Sequence, residues 1–258
     1  MRVAPAGLDE NACLVLVDYD NAFPPNAKMQ PEEIAVQVER WLRQIASAYR
    51  DLRTFEVRMY GGWYDDQNLS RHGSEVAKII ALMPKFPIRL SNGQLVRGTI
   101  GLATNLLTAR DAVPLLGTYR QRGSLPRVRL SAHPYPSGCA RIDATCPAAI
   151  LRSFTKSTRR ECPVDSCGLV SSDAFVLHEQ KMVDTLLATD ILAAGRLNPG
   201  YSLVVVVSGD SDFVPPLLNA REFNTVRFIQ LLPRPEEASE YSTRLLAEAG
   251  VDVIEGAA

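Results

Sequence analysis

The sequence predicts an α/β fold built on a mostly parallel sheet, and three observations point there. Leu14-Val15-Leu16-Val17 and Leu203-Val204-Val205-Val206-Val207 are continuous β-branched or apolar runs, the pattern of strands buried on both faces. Stretches with helical spacing alternate with these and other short strand-like runs, which implies βαβ units with right-handed crossovers. The length of 258 residues, with 46% apolar and 22% charged residues, is enough to bury a sizeable core in an ordinary globular chain.

Taken in order, a strand over 13–18 leads past Pro24 and Pro25 to a helix over about 31–50. There Pro31 occupies the start and Ile34, Val38, Trp41, Leu42 and Ile45 recur at helical spacing. Thr54–Tyr60 alternates as a second strand and ends at Gly61-Gly62; a helix over 74–83 follows and stops at Pro84. A strand is expected over 127–132, but the rest of 85–170 has scattered Gly, Pro and Cys and no period. The longest helix is expected over 176–197, with Val183, Leu186, Leu187 and Ile191 along one side. Strand 203–207, helix 213–221, strand 226–232, helix 240–249 and strand 251–254 complete the chain. There is no internal repeat or low-complexity segment. The organisation expected is one domain over 1–258 with an elaborated, Cys-containing insertion over 85–170.

The N-terminus lacks a signal-peptide apolar region, and no stretch approaches the roughly 18 apolar residues that span a bilayer, so a cytoplasmic protein without membrane contact is expected. Net charge is −1, but its distribution is uneven. From Arg110 to Arg160 there are ten Lys/Arg against Asp111 and Asp143, whereas 236–258 holds six acids and one Arg. A basic middle beside an acidic site suits a substrate with a phosphate backbone, and equally suits a solvated surface insertion. Arg120, Arg122, Arg127, Arg129, Arg159 and Arg160 are the candidate nucleic-acid contacts.

The chemistry lies at the strand ends. The first apolar run stops at Asp18-Tyr19-Asp20-Asn21 and the second at Ser208-Gly209-Asp210-Ser211-Asp212-Phe213. In open α/β sheets the ligand crevice lies at the carboxyl ends of the strands. Two strands ending there in carboxylates concentrate negative charge, which a shared cation or proton must offset. Asp184, near the start of the long helix, adds a fourth carboxylate to Asp18, Asp210 and Asp212. An oxygen-only donor set of this kind favours Mg²⁺ or Mn²⁺ over Zn²⁺. Such ions lower the pKa of a water nucleophile and stabilise charge on an attacked phosphate. Singly, each acid has a plainer reading, because Asp forms turns and Asp-Ser-Asp before a helix can be an N-cap.

Val17-Asp18-Tyr19-Asp20-Asn21, Lys181-Met182-Val183-Asp184 with Asp190, and the closing Ser208–Phe213 motif together resemble the NYN family, a branch of the PIN-like nuclease superfamily that includes bacterial LabA-like proteins. The resemblance covers about 13–62 and 176–232. It implies a Rossmann-like sheet, an acidic Mg²⁺ or Mn²⁺ site of Asp18, Asp184, Asp210 and Asp212, and endoribonuclease activity on RNA. Asn21 would orient a ligand or substrate; Asp20, Lys181, Asp190 and Ser208 would neighbour the site. Two features depart from the family pattern: Asp20 stands where many members have an uncharged residue, and the middle segment is long for a minimal domain. Oligomeric state is left open, a homo-oligomer included.

Two other readings compete. In a HAD-like phosphatase Asp18 would attack phosphorus and Asp20 protonate the leaving group. That family's expected Thr or Val after the second Asp is missing at Asn21-Ala22, and Asp184 would have no role. A PIN-like module that binds RNA with little turnover is the non-enzymatic reading. Serine hydrolysis lacks a Gly-x-Ser-x-Gly elbow, and His72, His133 and His178 show no partner pattern, so each reads as a surface or helix residue. Cys139, Cys146, Cys162 and Cys167 lie within 29 residues and could hold a structural Zn²⁺, with His133 as a substitute ligand. Their Cys-x₆-Cys and Cys-x₄-Cys spacings are looser than zinc knuckles, so unliganded thiols are the default expectation. Cys13 reads as a core residue.

Overall fold

Strand β1 (Ala12–Asp18) is buried along its whole length, as its unbroken apolar run requires. In the computed structural model it lies at the centre of a seven-stranded sheet. The described residues are 11–24, 27–89, 93–111, 113–122, 147–157, 159–162, 164, 166–175, 177–197, 200–237 and 239–256. After the short helix α1 (Tyr19–Ala22) and helix α2 (Pro31–Ala48) come β2 (Thr54–Tyr60), a two-residue hairpin of β3 (Tyr64–Asp65) and β4 (Asn68–Leu69), and α3 (Arg71–Leu82). Strands β5 (Ile88–Arg89) and β6 (Leu95–Leu102) extend the sheet beyond β2. The second unit holds β7 (Tyr119–Arg122), α4 (Pro147–Phe154), α5 (Ser171–Ala174) and most of β8 (Leu177–Gln180). The chain then runs through α6 (Val183–Leu197), β9 (Leu203–Val207), α7 (Val214–Arg221), β10 (Arg227–Leu232), α8 (Glu240–Glu248) and β11 (Asp252–Glu255).

The strand order is β11-β10-β9-β1-β2-β6-β5. All neighbours are parallel except β5 and β6. The fold is thus α/β with a mostly parallel sheet flanked by helices, an arrangement compatible with a Rossmann-like class. From β1 the chain first builds outward through β2 and β6, then returns to the other side of β1 and builds outward through β9, β10 and β11. The direction of winding reverses between β1 and β9, and this is where open α/β sheets form their ligand crevice.

Alternation along β1 divides the core. Cys13, Val15 and Val17 pack with Ile34, Val38, Trp41, Leu42 and Ile45 of α2 and Val76 and Ile79 of α3. Leu14 and Leu16 pack with Leu186, Leu187 and Ile191 of α6, Leu217 of α7 and Leu246 of α8. Pro31 starts α2, and Gln30 and Glu33 cap it reciprocally, satisfying amides that a helix start leaves open. On the second face α6 and α7 meet at Gly195, where an added Cβ would lie 2.7 Å from the Ala220 carbonyl oxygen and 2.9 Å from its Cβ. Gly195→Ala should therefore destabilise the fold. Overpacking costs about 1–3 kcal/mol, against about 1 kcal/mol of recovered helix propensity. A lower urea midpoint at unchanged slope is the expected measurement.

Several sequence expectations shift. Residues 88–102, assigned to the insertion, supply two strands of the main sheet, and the second compact unit spans Tyr119–Glu179 rather than 85–170. The helix expected over 176–197 is strand β8 followed by α6, separated by Met182 in a left-handed conformation (φ 62°). The strand expected over 127–132 lies outside the described residues, as do Arg127, Arg129, His133, Cys139 and Cys146. Within the second unit, Cys162 N–H donates to the Leu169 carbonyl (2.8 Å), and Phe154 meets Phe175 edge-on at 5.5 Å. Cys162 is half-buried and Cys167 exposed, both as free thiols; Arg159 and Arg160 are exposed. Among the described residues no helix is long and apolar enough to cross a membrane.

Candidate metal and phosphate site

The sheet register brings the two acidic motifs together. Val17 pairs with Val207, so Asp18 and Ser208 end adjacent strands. The side chain of Asp18 follows the parity of Leu14 and Leu16 and belongs to the face covered by α6. Asp184 sits in the first turn of that helix. Asp210 and Asp212 follow β9 in the turn that leads to α7.

Hydrogen bonds hold this edge in shape. Ser208 Oγ donates to Asp18 Oδ2 (2.9 Å) and accepts from the Asp210 backbone N–H (3.0 Å), tying one strand end to the other. Asn21 Oδ1 accepts from Gly209 N–H (2.7 Å), so the Asn that follows β1 clamps the turn that follows β9. Asp210 Oδ1 accepts from Asp212 N–H (2.9 Å), capping the one-turn 3₁₀ helix Ser211–Phe213. The capping role expected of Asp-Ser-Asp is therefore real and belongs to Asp210. Beneath, buried Gln230 donates through Nε2 to the Ser208 carbonyl (2.9 Å).

The carboxylates sense one another. Asp18 is only 8% exposed, and its carboxyl is pushed up to about 6, chiefly by burial and further by the charges of Asp184 and Asp210, against the lowering effect of the Ser208 hydroxyl. Asp184 is also raised, by partial burial and by the charges of Asp210 and Asp212. Four acids from three elements thus share one field, the electrostatic condition for a hard cation. Their side chains do not form a closed cage: among the described residues no group of three or more His, Cys, Asp or Glu stands at metal-ligating spacing. The donor chemistry fits Mg²⁺ or Mn²⁺, and binding would have to draw the acids together.

The neighbouring candidates separate. Asp20 is turned to a different set of partners: it forms an ion pair with His72 Nε2 (3.1 Å) and accepts from Gln180 Nε2. His72 stacks on Trp63 at 5.6 Å, and the Asp20 carboxylate beside it raises its pKa. This partner for His72 was not legible in the sequence, because the two residues are brought together only by packing of α3 beside α1. Lys181 is half-buried ahead of α6, its N–H donating to the Thr118 carbonyl (2.7 Å).

Asp190 is fully buried away from the acid cluster. It accepts from Tyr60 Oη (2.7 Å), Leu107 N–H (2.8 Å) and Arg58 (3.2 Å). Six residues beyond Asp184, it lies about 240° around the helix and faces the sheet near the end of β2. These contacts make it a packing and hydrogen-bonding anchor between α6 and the end of β2.

A pocket of about 270 Å³ opens beside the cluster, lined by Asn21, Gly209, Asp210, Ser211, Pro233, Arg234 and Ser239. Arg234 was not singled out in the sequence. It lies two residues past β10, and its guanidinium donates to the Asn21 carbonyl (2.8 Å), reaching across the end of β9.

The role of Ser208 can be measured. Ser208→Ala removes a hydroxyl that both orients Asp18 and receives the Asp210 amide. Losing such an outer partner typically weakens metal affinity about 10–100-fold. Were Mn²⁺ held at these acids, the concentration needed to raise the melting temperature would increase by that factor.

Comparison with protein-family models, with curated proteins and with solved structures gives no match.

Proposed function

We propose that this chain is a metal-dependent endoribonuclease of the NYN type, with a PIN-like elaboration of its α/β fold. One observation carries the reading: Asp18, Asp184, Asp210 and Asp212 gather at the reversal point of the sheet, and Asp18 is held near a pKa of about 6 by burial and by its acidic neighbours. Clustered carboxylates that raise one another cost stability unless they serve a cation.

Bound Mg²⁺ or Mn²⁺ would supply Lewis acidity toward a phosphodiester and a water nucleophile at neutral pH. Asp18, Asp184, Asp210 and Asp212 would hold it. Ser208 fixes the Asp18 carboxylate, and Asn21 fixes the Gly209–Asp210 backbone, so the donors from β1 and β9 keep their mutual position. The phosphatase alternative needs Asp20 as a proton donor toward the Asp18 nucleophile, whereas Asp20 is paired with His72 and Gln180. The open spacing of the acids is the one feature that suits a binding module with little turnover.

Mn²⁺-dependent cleavage of an end-labelled RNA, with DNA of the same sequence in parallel, tests the reading. Cleavage should vanish in Asp18→Asn and in Asp210→Asn. RNA binding with no cleavage by the wild type, unchanged in both variants, would instead establish the binding module.

A further inference from the structure

We propose that the pocket between Asn21, Gly209–Ser211, Pro233–Arg234 and Ser239 is a nucleotide subsite in which Arg234 receives the phosphate next to the one attacked at the carboxylates. The inference rests on the nuclease reading for its place in the reaction, and on the pocket itself for its chemistry.

Three observations carry it. First, the pocket shares a wall with the acid cluster, since Asp210 lines both, so an occupant lies directly against the carboxylate edge. Second, its lining is polar almost throughout, with Asn21, Gly209, Asp210, Ser211, Arg234 and Ser239 against Pro233 as the one apolar residue type. A volume of about 270 Å³ sits just below the roughly 300–1,000 Å³ of ordinary small-molecule sites, which suits one nucleotide rather than a longer stretch. Third, the cation in this wall is an arginine, permanently charged and planar, whose fork geometry matches phosphate. Its bond to the Asn21 carbonyl crosses from the β10 side to the β1 side, which sets the guanidinium over the end of β9 where Gly209 and Asp210 begin.

The strand-end order β10-β9-β1 thus becomes a functional order: arginine, then the Asp210 turn, then Asp18. A polynucleotide laid along that edge would place one phosphate at the acids and its neighbour at Arg234. Asp210 repels a bare phosphate, so occupancy should tighten when Mn²⁺ offsets the acidic charge.

The test is titration of adenosine 5′-monophosphate into the 258-residue protein, with and without Mn²⁺ and with adenosine as the phosphate-free control. Arg234→Ala should weaken the nucleotide about ten- to hundredfold, the scale of a charge-assisted bond, and leave the adenosine result unchanged. On RNA it should raise KM more than it lowers kcat. Ser239→Asp is the second variant: aspartate caps α8 as well as serine does, so the fold is kept while a negative charge enters the pocket. It should abolish nucleotide binding. Mn²⁺ should stabilise both variants as it does the wild type.

Wild type that shows no saturable binding of the nucleotide, or Arg234→Ala and Ser239→Asp that bind it as wild type does, would overturn the subsite. Nucleotide binding that depends on Arg234 in a protein that neither responds to Mn²⁺ nor cleaves RNA would keep the subsite and remove the nuclease reading.

Discussion

Asp18→Asn should eliminate Mn²⁺-dependent RNA cleavage and, in the absence of metal, make the protein more stable at pH 8. The loss of activity should exceed the 10–100-fold typical of outer-sphere partners, because on the proposed function a direct donor is removed. The gain in stability follows from the raised carboxyl. Its ordinary value is 3.8 and its value in the fold is about 6. Below about pH 4 the group is protonated in both folded and unfolded chains and contributes nothing. Between 4 and 6 the folded state keeps a proton that the unfolded state releases, so stability falls as pH rises. Above 6 the full penalty is present, about 3 kcal/mol for roughly two units. Urea melts of the wild type at pH 4.5 and pH 8, each compared with Asp18→Asn, should show a variant advantage about three times larger at the higher pH. Mn²⁺ should reverse the ranking once it reaches about 1,000 times its Kd, where it adds about 4.1 kcal/mol to a protein that binds it and nothing to one that does not. An Asp18→Asn protein no more stable than wild type at pH 8 would mean that the acids do not burden the metal-free fold.

Asp190→Ala should be the most destabilising change among the conspicuous acids, with no direct effect on the metal response. Its carboxylate gathers the Tyr60 hydroxyl, the Leu107 amide and the Arg58 guanidinium at a fully buried position. Arg58 also donates to the Asn105 carbonyl, and nearby Glu56 accepts from Tyr201 Oη (2.5 Å) and from Arg110 (3.0 Å). Removing the carboxylate leaves the mostly buried Arg58 with only its longer Glu56 pair (3.8 Å) and the Asn105 carbonyl, and orphans two donors, at a cost of about 3 kcal/mol. Asp190→Asn, which keeps the shape and an acceptor, should lose about 1–3 kcal/mol. If folded Asp190→Asn lost Mn²⁺ stabilisation while its urea midpoint stayed put, the residue would belong to the metal site after all.

These two aspartates show how far the sequence carries. Both are acids that the sequence resemblance expects at or near the site, and residue type and spacing do not separate them. Asp18 ends a strand, where the side chain reaches the crevice. Asp190 lies in mid-helix, and a rotation of six residues turns it from the helix face of Asp184 to the sheet. Strand β6 was hidden for a related reason. Gly98 and Gly101 weaken its pattern, yet a Cβ at Gly98 would lie 2.3 Å from the Phe55 carbonyl oxygen, so close approach to β2 requires glycine there. The break between β8 and α6 depends on Met182 at φ 62°, a conformation its residue type does not signal.

The sequence by itself determined the parallel α/β architecture, the central buried strands and the acids at their carboxyl ends, because those follow from local apolar runs and where they stop. Only the tertiary structure decided which polar groups meet. The order β10-β9-β1 sets Ser208 against Asp18 and carries Arg234 across to Asn21, while helix packing sends Asp20 to His72 and Asp190 to Arg58. Those pairings join residues tens to hundreds of positions apart, and the physical reason is plain: strand order and helix rotation are properties of the packed sheet, which no local pattern of residues encodes.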